Sequence, residues 1–227
     1  MGNDGAIFLY WFGFLVNFFF FRIKDWMQGK KREDFYRNHP KAKVHIKLLL
    51  IRVALATGVI FPLYLMLKFA IMAGLNTAIV NSLISGSALF TAIIFYFAFQ
   101  EKLSKQHMFG MVLLITAAAL ISFSKEEKVI ESKSEVSFLI PVFLALCCCL
   151  FYAAGSWVVR TVHELKTITT TQFISDAFFV YSFVLIAFSL IWEFFVQSYT
   201  NQVIFWAFLT SVFNIIAAVM IGKAVGI

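Results

Sequence analysis

The sequence predicts an all-α protein, a polytopic bundle of about seven transmembrane helices. Of its 227 residues, 61% are hydrophobic and only 14% are charged, whereas about a quarter of the residues in soluble domains are charged. Long apolar segments recur along the whole chain, without the alternation that is typical of an outer-membrane barrel. Because hydrocarbon offers peptide groups no hydrogen-bond partners, we expect these segments to be helices.

Seven segments have the length of about 17 to 25 predominantly apolar residues that a spanning helix needs. The first of them follows no basic region and precedes no small-residue cleavage site. We therefore expect it to be a spanning helix rather than a signal peptide. The predicted spans are 6–22, 48–73, 76–99, 107–123, 137–159, 171–196 and 202–224.

The distribution of Lys and Arg predicts how these helices are oriented. Cytoplasmic loops carry an excess of basic residues, so the amino terminus should lie outside and the carboxyl terminus inside. Arg52 is expected to extend to the inner interface and Glu193 to the outer one. Fourteen of the 19 basic residues belong to the inner side, in 22–47, 100–106 and 160–170 and at Lys223.

The composition also excludes several classes of protein. The net charge of +7 is concentrated in loops without a nucleic-acid-binding motif, so the expected partner is the lipid bilayer rather than nucleic acid. The adjacent cysteines 147–149 point about 100° apart on a helix, so they are expected to pack and not to bind a metal. No His has a second ligand at metal-binding spacing. We therefore predict no metal, no cofactor and no catalytic residues, and hence no enzyme.

Residues 81–123 resemble the end of a five-helix repeat of the drug/metabolite transporter superfamily, in particular of EamA-like transporters. In that pattern a helix with Ser, Phe and Thr at set positions leads into a Gly-Glu-Arg-Leu-Ser turn, and a helix rich in Gly and Ala follows. The sequence differs from this pattern at three positions, where Ala88 replaces a proline, Gln100 replaces a glycine and Lys102 replaces an arginine. The matching residues are Ser87, Phe90, Thr91, Glu101, Leu103 and Ser104.

The resemblance implies two five-helix repeats of inverted topology, a plan that many transporters share. Residues 1–123 would then hold four of the five helices of the first repeat, and 137–227 would hold three helices of the second. Residues 124–136 would form a polar connecting loop. Relative to such a family member, the sequence lacks the first helix and the last two. We therefore expect a homo- or hetero-oligomer in which a partner covers the incomplete repeats.

Polar residues within the predicted spans are the candidates for a substrate cavity, because polar groups in hydrocarbon are energetically costly. The alternative is that they form hydrogen bonds and packing contacts between helices. Gly110, after the predicted turn, is expected to allow a close approach between helices. The cavity candidates are Tyr64, Asn81, Ser85, Asp176 and Asn214.

Two functions are compatible with these observations. The first is a membrane transporter that moves a small organic metabolite by alternating access. The second is a shortened, non-transporting relative that serves as a structural subunit of a larger membrane complex. Neither the substrate nor a coupling ion follows from the sequence.

Overall fold

The computed structural model describes residues 4–29, 40–73, 83–84, 86–101, 104–123, 139–196 and 198–224. All regular secondary structure in these ranges is helical. A short 3₁₀ helix, Asp4–Tyr10, leads into the first α-helix. The α-helices of the described ranges are α1 (Trp11–Met27), α2 (Ala42–Met72), α3 (Ser87–Phe99), α4 (Lys105–Phe123), α5 (Leu139–Leu165), α6 (Thr170–Phe195) and α7 (Asn201–Ala224).

The prediction of a helical membrane protein is confirmed. Four helical segments of the described ranges are long and apolar enough to cross a membrane, and α3 is apolar but shorter. A helix lies in each of the seven segments that the sequence singled out, while the number of seven spans stays a prediction. The four segments are Ala6–Met27, Ala42–Met72, Leu139–Leu165 and Thr170–Phe195.

Several helices extend beyond the apolar segments that predicted them. α1 continues to Met27 instead of ending near residue 22, and α2 begins at Ala42 instead of residue 48. α5 likewise ends at Leu165 rather than at residue 159. Apolarity ends where the first charged residues occur, but a helix keeps its backbone hydrogen bonds across the boundary between lipid and water. The added turns therefore carry charged side chains.

The chain divides into two compact units. The first unit comprises Met1–Thr57 and Val158–Ile227, and the second comprises Gly58–Trp157. Both boundaries fall inside continuous helices, so α2 and α5 each contribute to both units. These units do not coincide with the predicted repeats, 1–123 and 137–227, and the division into repeats stays a prediction.

In the first unit, ring contacts hold α1 and the 3₁₀ helix against α6. Phe8, before the start of α1, contacts Phe188 near the end of α6, whereas Phe18, later in α1, contacts Phe179 nearer the start of α6. The two helices are therefore antiparallel. α1 also packs on α7, where the rings of Phe12 and Phe208 lie 4.9 Å apart. The ring pairs with α6, separated by 4.3 to 5.8 Å, are Phe8 with Phe188 and Trp192, Phe14 with Phe178 and Tyr181, and Phe18 with Phe179.

A glycine brings the backbones of α1 and α7 together. A Cβ atom added to Gly13 would lie 2.6 Å from the Cβ and 2.9 Å from the Cα of Ser211. Small residues permit such close approach between membrane helices, whose association depends on packing rather than on the hydrophobic effect. Gly110 was expected to do this on α4, but among the described residues a Cβ added there meets no atom within 4 Å, so that expectation is wrong for this part of the chain.

In the second unit, α2 and α5 share a small apolar core. Met66 and Ala70 of α2 and Ala145 of α5 are fully buried there. Gly58 allows α2 to approach α5 closely, because an added Cβ would lie 3.1 Å from the Phe151 ring. Leu63, Leu67, Leu83, Ile84 and Leu144 pack around this core.

The cysteines of α5 pack in the second unit, as expected. Cys148 and Cys149 are buried, and Cys147 is half-buried. The Cys149 thiol donates to the carbonyl oxygen of Leu83 at 3.3 Å, and the Cys148 thiol lies 3.7 Å from the carbonyl oxygen of Val59. In a dry helix interface a thiol serves as a small apolar group with a weak donor.

The turn after α3 contains a left-handed residue. Gln100 ends the helix with φ 56° and ψ 28°, and its side-chain amide donates to the carbonyl oxygen of Phe97 at 3.2 Å. Glycine adopts this conformation without steric cost and is common after the last residue of a helix. The position is the one at which the EamA-like pattern has its glycine.

Replacing Gly13 with Ala is expected to lower the free energy of unfolding by about 1–3 kcal/mol. The added methyl group must displace the backbone of α7, and this cost exceeds the helix-propensity gain of up to about 1 kcal/mol. Gly110→Ala is the control, because its Cβ enters open space, and it should not destabilise. Thermal unfolding in detergent measures the stability of both variants. A Gly13→Ala variant with the same unfolding midpoint as Gly110→Ala would contradict the close approach of α1 and α7.

At Gln100, substitution by Val should destabilise the protein by about 1 kcal/mol relative to substitution by Gly, because β-branched residues rarely adopt positive φ. The two variants remove the same side-chain hydrogen bond to Phe97. Their comparison therefore isolates the backbone conformation. A Val variant as stable as the Gly variant in thermal unfolding would show that residue 100 does not adopt the left-handed conformation.

Candidate functional site

Polar side chains are buried along α6 in the first unit. All five have 7% or less of their surface exposed. Three of them follow at intervals of seven residues, which is about two helical turns, and therefore share one face. The buried polar residues are Thr170, Ser175, Asp176, Ser182 and Ser189.

Asp176 forms an ion pair with α1. Its carboxylate lies 4.0 Å from the guanidinium of Arg22. The Asp176 side chain is 9% exposed and that of Arg22 is 45% exposed, so the pair joins the helix interface to the surface. Arg22 also lies over the ring of Phe18 at 5.0 Å, a cation–π contact. Arg22 and Asp176 lie close together because α1 packs antiparallel to α6, which brings the last turns of α1 next to the first turns of α6.

The buried serines of α6 differ in how their hydroxyl groups are satisfied. Ser182 donates to the carbonyl oxygen of Phe178 at 2.7 Å, and Ser189 donates to that of Ile186 at 2.9 Å. Such bonds within one helix make a serine acceptable in a dry interface. Ser175 is 1% exposed, and its hydroxyl has no hydrogen-bond partner in the described part of the chain. Ser175 is therefore the buried serine of α6 that backbone bonding within the helix does not account for, whereas Asp176 has a partner on another helix.

Two histidines bind threonines where α5 turns into α6. The fully buried His45 of α2 shares a hydrogen bond between its Nε2 and the hydroxyl of Thr167. His163, at the end of α5, shares one of 3.2 Å between its Nδ1 and the hydroxyl of Thr170. Among the described residues no three metal-binding side chains come together. These contacts tie the start of α2 to the turn between α5 and α6.

At the other end of α6, Glu193 binds the loop to α7. Its carboxylate accepts a hydrogen bond of 2.8 Å from the backbone N–H of Tyr199. Burial, and next the negative charge of Glu193, raise the pKa of Tyr199 to about 12. Glu193 thus helps to close the α6–α7 loop.

The sequence-predicted cavity residues fall at different places. Asp176 lies in the first unit, next to Arg22, whereas Tyr64 is half-buried on α2 in the second unit. Asn214 lies on α7, but its side chain is outside the described part, and Asn81 and Ser85 lie outside the described residues altogether. The proposed grouping of all five around one cavity stays a prediction.

The residues of the family-like turn lie where helices α3 and α4 meet. Ser87, Phe90 and Thr91 are half-buried on α3. Glu101 and Ser104 follow in the turn, and Leu103 lies outside the described residues. The two expected helices are present, and residues 102 and 103 between them lie outside the described residues.

Sequence reasoning missed Ser175, Arg22 and the hydroxyl of Tyr181, which donates to the carbonyl oxygen of Ala56 at 3.1 Å. A signal for the serines existed, because residues 175, 182 and 189 are seven apart. In the sequence, Arg22 counted only as one of the basic residues of 22–47 that are expected on the inner side. Its partner could not be found without the direction in which α1 packs on α6.

A shallow depression on the surface of α6 is apolar, unlike the buried polar positions of the same helix. Its volume is about 470 Å³, and only apolar side chains line it. It therefore lacks the few convergent polar groups that orient a small-molecule ligand. The lining residues are Phe183, Val184, Ala187, Phe188 and Ile191.

The helices and their buried polar groups define a multi-pass integral membrane protein. Comparisons with protein-family models, with curated proteins and with solved structures find no match to this chain.

Tyr199 should lose its phenol proton at a higher pH than an ordinary tyrosine. The difference in tyrosinate absorbance between the wild-type protein and Tyr199→Phe isolates this residue among the seven tyrosines and should have its midpoint near pH 12 rather than 10. A raised phenol pKa favours the neutral form in the folded state. Its contribution to stability is therefore complete below about pH 10 and is lost as the pH rises through about 12.

The same titration in a Glu193→Gln background is the control. Removing the carboxylate should lower the midpoint of Tyr199 but keep it above 10, because burial is the larger cause. A midpoint of 10 in the otherwise unchanged protein would mean that Tyr199 is not buried against this loop.

Proposed function

We propose that this protein is a transporter that moves a small organic metabolite across a membrane by alternating access. The observation that carries the proposal is the carboxylate of Asp176, buried in a helix that is long and apolar enough to span the membrane. Ionisable groups inside membrane helices are rare and usually belong to a substrate or ion pathway.

The energetics of the pair favour a functional interpretation over a structural one. Removing the Asp176 carboxylate from water costs several kcal/mol, and its partner Arg22, which is 45% exposed, offsets only part of this cost. A distance of 4.0 Å between the charged groups is longer than that of a charge-assisted hydrogen bond. Packing alone would be served better by apolar residues, whereas a solute that binds and leaves needs a group of this kind.

Ser175 adds a second polar group beside Asp176. Its buried hydroxyl lacks a hydrogen-bond partner among the described residues. Adjacent residues of a helix point about 100° apart, so the two groups offer an acceptor and a hydroxyl toward neighbouring directions. This combination suits a small solute with both donor and acceptor groups.

The wider arrangement of the chain supports the same proposal. Alternating access in such folds is a movement of one repeat against another, and the proposal assigns these roles to 1–123 and 137–227. The left-handed Gln100 stands where the EamA-like pattern has glycine. The proposal includes seven spans in incomplete inverted repeats, with the amino terminus outside and the carboxyl terminus inside.

A release assay tests the proposal. Proteoliposomes are loaded with a mixture of isotope-labelled amino acids, organic acids, nucleosides and polyamines, and mass spectrometry follows what remains inside. We expect at least one solute to leave the wild-type vesicles and to stay in protein-free vesicles. Asp176→Asn should slow this release by at least about tenfold, a loss of roughly 1.4 kcal/mol or more.

Ser182→Ala is the matched control, because Ser182 is a buried polar residue of the same helix whose hydroxyl bonds to the carbonyl oxygen of Phe178 in that helix. Release by this variant should stay within about twofold of the wild-type rate. Size-exclusion chromatography shows whether each variant is folded. Folded wild-type protein that releases none of the solutes, or a fully active Asp176→Asn variant, would refute the proposal.

The second candidate is a structural subunit of a larger membrane complex, and it too has an observation in its favour. None of the described side chains of α3 and α4 is buried. Five large apolar side chains on α4 are more than half exposed, so that either lipid or another membrane protein would cover them. They are Met108, Phe109, Val112, Leu113 and Leu120. A folded protein that is inactive in the release assay would favour this role.

A further inference from the structure

We propose that the start of α2 binds an anionic phospholipid. The site is an exposed strip of four residues on two helical turns, Lys43, Ile46, Lys47 and Leu50, which we call the α2 strip. The lysines would hold the phosphate of the headgroup, and the apolar residues would hold an acyl chain. This inference goes beyond the proposed transport function and does not depend on it.

The orientation of the α2 strip follows from what the opposite face of the helix buries. Residues 42, 45, 49 and 53 are buried at intervals of three or four, which is the period of one helix face. The hydrogen bond between His45 and Thr167 ties this face to the turn between α5 and α6. With that register, residues 43, 46, 47 and 50 must point away from the protein, and all four are exposed.

The lysines leave a positive charge that the protein does not neutralise. Lys43 and Lys47 are four residues apart, so they are neighbours on the helix surface with Cβ atoms about 6 Å from each other. Within the described ranges neither has a carboxylate as an ion-pair partner. Like charges at this spacing repel each other modestly. One phosphate between the two ammonium groups would remove this repulsion and add two charge-assisted hydrogen bonds.

The apolar part of the α2 strip distinguishes a lipid from a free anion. Ile46 is 42% exposed and Leu50 is 56% exposed, and the exposed Ala54 continues the same line toward the centre of the helix. Ile46 lies between the two lysines along the helix, and beyond Lys47 the strip is apolar, with Leu50 and then Ala54. A phospholipid with its phosphate at the lysines and an acyl chain along Leu50 and Ala54 matches this arrangement. The sequence-predicted topology would put this end of α2 at the inner leaflet, where the anionic lipids of cells are concentrated. Binding itself requires only the strip and a phospholipid.

Lipid retention measured by native mass spectrometry tests the site. The full chain is purified in detergent with equal amounts of phosphatidylglycerol and phosphatidylcholine, and the masses report which lipid stays bound. We expect the wild-type protein to retain phosphatidylglycerol preferentially. The double substitution Lys43→Gln and Lys47→Gln should reduce this retention by roughly tenfold to thirtyfold.

Three variants make the result specific. Lys68→Gln removes a lysine that is also exposed but lies near the other end of α2, and it should leave retention within about twofold. Arginines at positions 43 and 47 keep the charge and should restore retention. Leu50→Asn should weaken retention without a change in charge, and size-exclusion chromatography confirms that each variant is folded.

Three results would overturn the inference. One is equal loss in Lys68→Gln and in the double variant, which would show a general effect of charge. Another is unchanged retention in a folded double variant. The third is displacement of the bound lipid by millimolar inorganic phosphate, which would mean that the lysines bind a free anion. Because retention is measured without transport, its failure is distinguishable from failure of the proposed function.

Discussion

Ring contacts along α1 determine how this helix lies on α6, and much of the first unit depends on that register. Between membrane helices the hydrophobic effect supplies no attraction, because lipid is as apolar as the side chains. Van der Waals contact must therefore select the arrangement. The stacked rings of Phe18 and Phe179 and the close approach of Gly13 to Ser211 provide it, with α1 held between α6 and α7.

The same register decides which polar groups meet. Because α1 is antiparallel to α6, Arg22 at the end of one helix comes to Asp176 in the second turn of the other. A carboxylate in this position is energetically costly without a cation nearby. The exposed side of Arg22 keeps the pair in contact with the protein surface, so the carboxylate is buried but lies next to that surface. Such a position suits a group that a solute or an ion must reach.

At the same end of the first unit, the buried His45 sets the orientation of the start of α2. Its contact with Thr167 joins α2 to the turn between α5 and α6. By holding one face of α2 inward, it also turns Lys43 and Lys47 outward. A bound lipid and the α5–α6 turn would therefore act on the same helix end. The polar contacts of this region and its basic surface are consequences of one helix register.

The sequence by itself determined the class of protein, the seven helical segments and the short turn around Gln100, because length, apolarity and charge are local properties. It also singled out Asp176, since an acid in an apolar segment is conspicuous. It did not determine the ends of α1 and α2, which continue past the apolar residues. Only the tertiary structure decided that Arg22 is the partner of Asp176, that Gly13 rather than Gly110 permits close approach, and that Ser175 differs from Ser182. These outcomes depend on which helices pack together and in which direction, and no local pattern of residues contains that information.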